Sequence, residues 1–187
     1  MDTLRDVNGL RKDAALNRTR IVEAARELAA RGDPLALNAV ARAAGVGVGT
    51  VYRHYSTVEE LEEVLVWERF DDLGEILRDA GPAHLERVLT AHFVLLTQDI
   101  LFERVTARPE PALEQTAEKR IALITGLSTL MDRARAEGDL GADVDAEEIL
   151  MLMCGLAYAA RSAEVAADSP QAQAMLRVVF DGLRTPA

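Results

Sequence analysis

The stretch from Ala36 to Tyr55, ALNAVARAAGVGVGTVYRHY, constrains this chain more than any other. It reads as a short helix over Leu37–Ala44, a glycine-bearing turn, and a second short helix over Val48–Tyr55. In the first helix Leu37, Val40, Ala41 and Ala44 share one face. Gly45 follows as a stop in the left-handed conformation. Wound at about 100° per residue, the second helix puts Val48, Val51, Tyr52 and Tyr55 on one side and Gly49, Thr50, Arg53 and His54 on the other. The apolar side is expected to pack against a neighbour. The outer side carries small, hydroxyl, guanidinium and imidazole groups, which suits a helix lying in a DNA major groove. Small residues let the backbone approach, and an Arg fork matches guanine O6 and N7.

The net charge of −10 looks wrong for such a role until its distribution is read. Residues 1–56 hold 9 Lys and Arg against 6 Asp and Glu, a net +3, while the remainder holds 12 against 25, a net −13. Phosphates respond to the local field within a Debye length, so the basic portion coincides with the helix pair and the acidic remainder stays off the duplex. Aromatic residues make up only 4% of a chain that is 49% hydrophobic, which favours helices packed through Ala, Leu and Val over a β-sandwich. A single cysteine, Cys154, forbids an internal disulfide framework and fits a reducing cytoplasm. The start, MDTLRDVNGLRKDAAL, has no apolar core for a signal peptide, and no run approaches the length of a membrane span.

GVGVGTVYRHY followed by STVEEL resembles the helix-turn-helix signature of the TetR family of bacterial transcriptional regulators, over about Asn17 to Leu65. Within it Asn38, Thr50 and Arg53 are candidates for reading base edges, and Gly49 for close approach. The alternative for Asn38 is a hydrogen bond at the helix start. Tyr52, His54, Ser56 and Thr57 are candidate phosphate donors, which position a protein without reading sequence. Two departures stand out. The second helix lacks the family's Ser or Thr cap, with Leu35, Ala36 and Leu37 there instead. Val58 stands where the family usually has Lys or Arg, which puts one phosphate contact in doubt.

The rest of the chain reads as helical throughout, about nine helices and no strand. Residues 1–16 are weakly periodic and expected as a flexible arm, in which Arg5, Arg11 and Lys12 are candidates for a phosphate or minor-groove contact; a solvated tail is the favoured reading. Asn17 is placed as the cap of a first helix to about Arg31, and residues 17–56 form the DNA-binding domain. Residues 57–187 form a helical regulatory and dimerisation domain. In it Thr57 with Glu60 makes a capping box for a long helix to about Asp79, and Gly81-Pro82 breaks the chain. A helix from Pro82 to about Val105 contains a break near Gln98-Asp99, and another runs from about Ala112 to Ala136. Asp145 with Glu148 makes a second capping box for a helix to about Ala166. Ser169-Pro170 caps the last helix, to about Leu183.

The helix from Asp145 is apolar all round, with Ile149, Leu152, Met153, Leu156 and Ala160 in one stripe and Leu150, Met151, Cys154 and Tyr158 in another. Such a helix must be covered on all sides, and a second copy supplies the cover. The resemblance implies an intersubunit bundle of the last two helices, with Leu150, Met151, Cys154 and Tyr158 on one and Leu176, Val179, Phe180 and Leu183 on the other. It also implies a small-molecule pocket in the second half and a near-palindromic double-stranded operator. Candidate pocket residues are Trp67, Phe70, His92, Phe93 and Leu96, with Phe102, Met131, Met151, Cys154 and Tyr158. No nucleophile motif, phosphate loop or metal-ligand spacing occurs, and His84 and His92 lie too far apart to make a site. The expectation is therefore an all-α homodimeric regulator, not an enzyme, with no cofactor, metal or membrane role: a repressor released by a small molecule. The alternatives are an all-helical ligand-binding protein with weakened DNA binding, or a regulator whose output no small molecule sets.

Overall fold

A computed structural model describes residues 3–81, 84–141 and 143–184, with side chains from Lys12 onward. Nine helices and no strand occur among the described residues. They are α1 (Thr3–Ala30), α2 (Leu37–Ala44), α3 (Val48–His54), α4 (Val58–Arg78), α5 (Leu85–Gln98), α6 (Ile100–Thr106), α7 (Glu114–Glu137), α8 (Ala146–Ser162) and α9 (Pro170–Leu183). The chain divides into two compact units, Met1–Leu65 and Val66–Ala187. The division falls inside α4, beyond the boundary after residue 56 expected from the sequence.

In the first unit α1 packs on α2, and α3 packs on both. The first helix begins at Thr3 rather than at Asn17. Residues 3–16, expected as a flexible arm, continue it, and Asn17 is interior rather than a cap. Asp13-Ala14-Ala15-Leu16 carries no breaker, so the helix of Asn17–Ala30 extends backwards at little cost. The groove contact considered for Arg5 and Arg11 falls outside the described side chains, while Lys12 is exposed. Ile21, Ala25, Val40 and Val51 are sealed from solvent. Gly45 ends α2 at φ 64°, and the Val46 N–H closes the turn on Ala41 O at 3.1 Å. A residue with a Cβ pays about 1–2 kcal/mol there.

The start of α2 is bare, with Ala36 as its cap and no side-chain bond. At α4 the expected box is half formed. Thr57 Oγ1 accepts the Glu60 N–H at 3.3 Å, but the Glu60 carboxylate accepts from the Ser56 N–H at 2.6 Å. The return bond thus lands one residue earlier than the pattern predicts.

In the second unit α8 packs along α5, with α6 and α7 against this pair. Phe93, Leu96, Phe102 and Met153 are fully buried in its core. The break between α5 and α6 is real: Asp99 Oδ1 accepts the Phe102 N–H at 3.0 Å and starts a new helix. On α7, a Cβ at Gly126 would lie 3.4 Å from Leu77 Cδ1, so this glycine sets how closely α4 and α7 approach. Gly138 ends α7 at φ 86°. The box at α8 is complete, with Glu148 N–H to Asp145 Oδ1 and Asp145 N–H to Glu148 Oε2 both at 2.8 Å. Ser169 Oγ accepts the Ala172 N–H at 3.2 Å and caps α9. The expected break at Pro82 lies outside the described residues.

One expectation needs correction here. α8 stops at Ser162, short of Ala166, because Glu164 turns left-handed at φ 55° and Val165 N–H closes on Ala160 O at 2.8 Å. α8 is not covered all round by its own chain, which is the situation the expected second copy would answer. Ile149, Met153, Ala157 and Ala160 are buried, while Met151 is 74% exposed and Tyr158 62% exposed.

One imidazole sits within this apolar core. His92 on α5 is 6% exposed, and its ring meets Phe102 edge-on at 6.3 Å between centroids. Burial pushes its pKa down to about 4, because the imidazolium would lose its hydration. Above pH 6.5 the ring is neutral in both folded and unfolded chains and stability is unaffected. As pH falls from 6.5 to about 4 the unfolded chain takes up a proton that the folded chain does not, so stability falls. The loss approaches about 3 kcal/mol at the acid end. Urea titrations of wild type and His92→Phe across this range should therefore diverge at low pH, with the variant losing less. Parallel pH profiles would place the acid sensitivity elsewhere.

Candidate DNA-reading face and ligand cavity

The turn at Gly45 and the packing of Val51 and Tyr55 set which side of α3 faces outward. Val51 is sealed from solvent and Tyr55 is 3% exposed, with Arg18 Nε donating to its hydroxyl at 3.5 Å. Val48 and Tyr52 depart from the wheel: both are exposed, because a helix of two turns presses only its central residues against α1 and α2. For Tyr52 this leaves the phenol accessible. Gly49 and Arg53 are exposed and Thr50 and His54 half-buried. The Arg53 guanidinium folds along its own helix, donating from Nε to Gly49 O at 3.1 Å and from Nη2 to Thr50 Oγ1 at 3.2 Å. Asn38 is exposed on α2 and does not cap it. Ser56 and Thr57 are exposed at the entry to α4.

The second unit has a cavity of about 840 Å³, open to solvent on one side, walled by α4, α5, α6, α7 and α8. Six of the candidate residues line it: Phe70, His92, Phe102, Met151, Cys154 and Tyr158. Four do not. Phe93, Leu96 and Met131 are core residues with no free surface. Trp67 is turned to Thr116, whose Oγ1 accepts from its indole at 2.9 Å. Leu73, Leu77, Val88, Leu89, Ile124 and Leu127 line the cavity and were missed. A search for aromatic and Met side chains overlooks aliphatic ones, although Arg120, Ile121, Ile124 and Leu127 recur at helical spacing on α7 and signal a common face.

Two charges beside the cavity are held by the protein. Glu103 pairs with Arg161 at 2.9 Å, and Arg161 also donates to Leu96 O at 2.6 Å. Arg120 donates to Arg108 O at 2.8 Å and to Val105 O, where α6 ends. A third charge, Glu147, lies exposed in the first turn of α8. Burial pushes the Cys154 thiol up, with Glu103 adding to the effect, so it is a neutral thiol and a poor nucleophile. His92 Nδ1 is buried with no hydrogen-bond partner. Ile121, Met151 and Tyr158 line the cavity yet stay exposed, so the exposed part of its wall sets apolar side chains beside Glu147.

Of the expected dimer face, Met151 and Tyr158 on α8 stay exposed. Leu176, Phe180 and Leu183 are already buried in their own chain's core, and Val179 is half-buried against it. The single chain also leaves Leu152 on α8 50% exposed and Val178 on α9 75% exposed. A wheel marks apolar stripes but does not say which stripe the chain itself covers. Leu150 and Cys154 are likewise half-buried against the core. Among the described residues no helix is long and apolar enough to cross a membrane, and no cluster of metal-ligating side chains occurs.

The family model for the bacterial regulatory proteins of the tetR family matches residues 21–64. The model for the carboxy-terminal domain of SbtR-like transcriptional regulators matches residues 95–185. No curated protein matches the sequence. Among solved structures, the TetR regulator SCO0520 of Streptomyces coelicolor is 25% identical, with a TM-score of 0.54 over 91% of this chain and 99% of that one. A TetR/AcrR-family regulator of Thermobifida fusca has a TM-score of 0.64 at 18% identity, over 90% and 98% of the two chains. FadR of Bacillus subtilis, solved with stearoyl-CoA, has a TM-score of 0.60 at 19% identity, over 89% and 100%. The helix-turn-helix half and the helical half each match a TetR-type model, in the order the fold presents them, and the chain belongs to the TetR family of bacterial transcriptional regulators.

Proposed function

We propose that this regulator is a homodimeric repressor that leaves a near-palindromic operator when a small molecule fills the cavity of the second unit. The observation that carries the DNA half is the outer face of α3, where exposed Arg53 stands beside the Thr50 hydroxyl in the net-positive part of the chain. The two bonds that hold Arg53 are exposed and easily exchanged for a base edge. In this reading Asn38, Thr50 and Arg53 read bases and Gly49 admits the backbone. Tyr52, His54, Ser56 and Thr57 donate to phosphates.

The regulatory half rests on the cavity. Its size suits a drug-sized ligand, and α4 is a single helix whose residues belong to both units. A ligand wedged against Phe70, Leu73 and Leu77 on α4 is positioned to displace that helix. FadR, which shares the fold, was solved with an acyl-CoA, which supports a ligand role for the helical half. For dimerisation the reading uses Leu152 and Val178, whose exposure leaves apolar surface for a second copy to cover.

Three outcomes are expected. Arg53→Ala should weaken binding to the operator by about 1–3 kcal/mol with the melting curve unchanged, as gel shifts on the DNA flanking its own gene would measure. Unaltered affinity in a folded variant removes Arg53 from the reading set. Leu152→Glu combined with Val178→Glu should yield monomers in light scattering, since two carboxylates would enter an apolar interface. A wild type that scatters as a monomer at micromolar concentration excludes the dimer. Finally, an inducing ligand must bind the released form better, and operator DNA must weaken its binding by the same factor. Calorimetric titrations with and without operator test this, and equal affinity for every bound compound would exclude release by ligand.

A further inference from the structure

Resting on the dimeric, ligand-released reading, we propose that the ligand cavity is completed only in the dimer. The second copy closes its open side, and ligand binding and dimerisation strengthen each other. The cavity is open along one helix. Every residue that α4 and α5 give to its wall is buried or half-buried. On α8 the lining residues Glu147, Met151, Gly155 and Tyr158 are all exposed. Steps of four, four and three residues put them on one line of the helix surface. That line runs for about 16 Å at the rise of an α-helix and forms the lip of the opening.

Gly155 joins this lip to the face assigned to dimerisation. Positions three and four apart are neighbours on a helix, so Gly155 has Met151 and Leu152 on one side and Tyr158 and Ala159 on the other. All four are exposed and none is charged, in a part of the chain that carries a net −13 after residue 56. A glycine in mid-helix weakens it relative to alanine. Its own chain gives no reason for this one. Its φ is not left-handed, and a Cβ there would meet nothing within 4 Å. A bare Cα does serve a surface that approaches closely from outside.

A copy seated over Leu152 with its closest approach at Gly155 stands against Met151 and Tyr158, and so against the opening. Glu147 lies at the far end of the line, in the first turn of α8, where a polar rim keeps its water. Closure matters to a ligand because an open cavity leaves one side of it wet. The second copy removes that side from water and holds the Met151 and Tyr158 side chains against it. Whatever factor the dimer gains in ligand affinity over the monomer, the ligand returns to dimerisation.

The test titrates N-phenyl-1-naphthylamine, an uncharged apolar fluorophore, into the full-length protein. Leu152→Glu combined with Val178→Glu separates the copies and leaves the cavity wall intact, since neither residue lines it. The wild-type dimer should bind the fluorophore about tenfold more tightly than this variant. Sedimentation of the wild type, diluted until half the dimers dissociate, gives the reciprocal measurement and carries the test if the variant does not fold. Saturating fluorophore should strengthen dimerisation by about a hundredfold, tenfold for each of the two cavities. Equal affinity in dimer and monomer, or dimerisation indifferent to the fluorophore, overturns closure by the second copy and leaves the dimer standing. A wild type that is monomeric at micromolar concentration overturns both and leaves the exposed face to a different partner. Gel shifts separate the proposal from release by ligand: dimerisation tightened by the fluorophore without loss of operator binding keeps the two-subunit site and discards release.

Discussion

Arg161 is the point on which the second unit depends. Ending α5 at Gln98 strips its last carbonyls of intrahelical partners, and those on the buried side, such as that of Leu96, need partners from the protein. Asp99 takes one route, closing its N–H on Leu95 O and capping α6 with its carboxylate. Arg161 takes the other, reaching from α8 to Leu96 O and to Glu103 on α6. One guanidinium therefore ties three helices at the break. The pair is largely buried, so removing either member would strand the other charge, and the break cannot relax back into a straight helix. The kink it preserves turns α6 aside and leaves Phe102 both packed in the core and facing the cavity.

The same device recurs at the other end of α6. Arg120 on α7 donates to Val105 O and Arg108 O, carbonyls at and just beyond the end of α6. Both cations beside the cavity are thus employed in closing helix ends. This gives a pocket whose wall holds two charges engaged in its own architecture and one exposed carboxylate, Glu147, beside a thiol, hydroxyls and one neutral imidazole.

The first unit solves a different problem. Seven residues of α3 cannot form a stable helix alone, so the turn and the packing must hold it. Gly45 aims the chain, Val51 and Tyr55 anchor it, and the rest of α3 is left outside. That economy explains why Val48 and Tyr52 are exposed although their angles favour the inside. It also leaves Arg53 and Thr50 with only each other and their own helix to bond.

Much of this was legible in the residues. Helix stops at Gly45 and Gly138, the box at Asp145 and Glu148, the cap at Ser169 and the break at Asp99 are local: each is settled by side chains within four positions of the backbone they bond. On α3 the inward Val51 and Tyr55 and the outward Gly49 and Arg53 were legible from the angle around the helix, while Val48 and Tyr52 were not. Less local features were not. Residues 3–16 lacked a periodic stripe, yet they continue α1, because a helix already nucleated extends through indifferent sequence. Periodicity marked Leu176, Phe180 and Leu183 as apolar but did not say that their own core would bury them while Val178 stayed outside. The cavity was the least visible feature. Its wall is assembled from single residues on five helices, chosen by how Leu77 meets Gly126 and where Arg161 and Arg120 hold α6. The sequence by itself determined which segments are helical, the ends that a local cap or glycine fixes, and the inward Val51 and Tyr55 of α3, because those depend on neighbours in the chain. Only the tertiary structure decided which apolar faces close on each other and which leave a space, because that depends on volumes and on bonds between residues far apart in sequence.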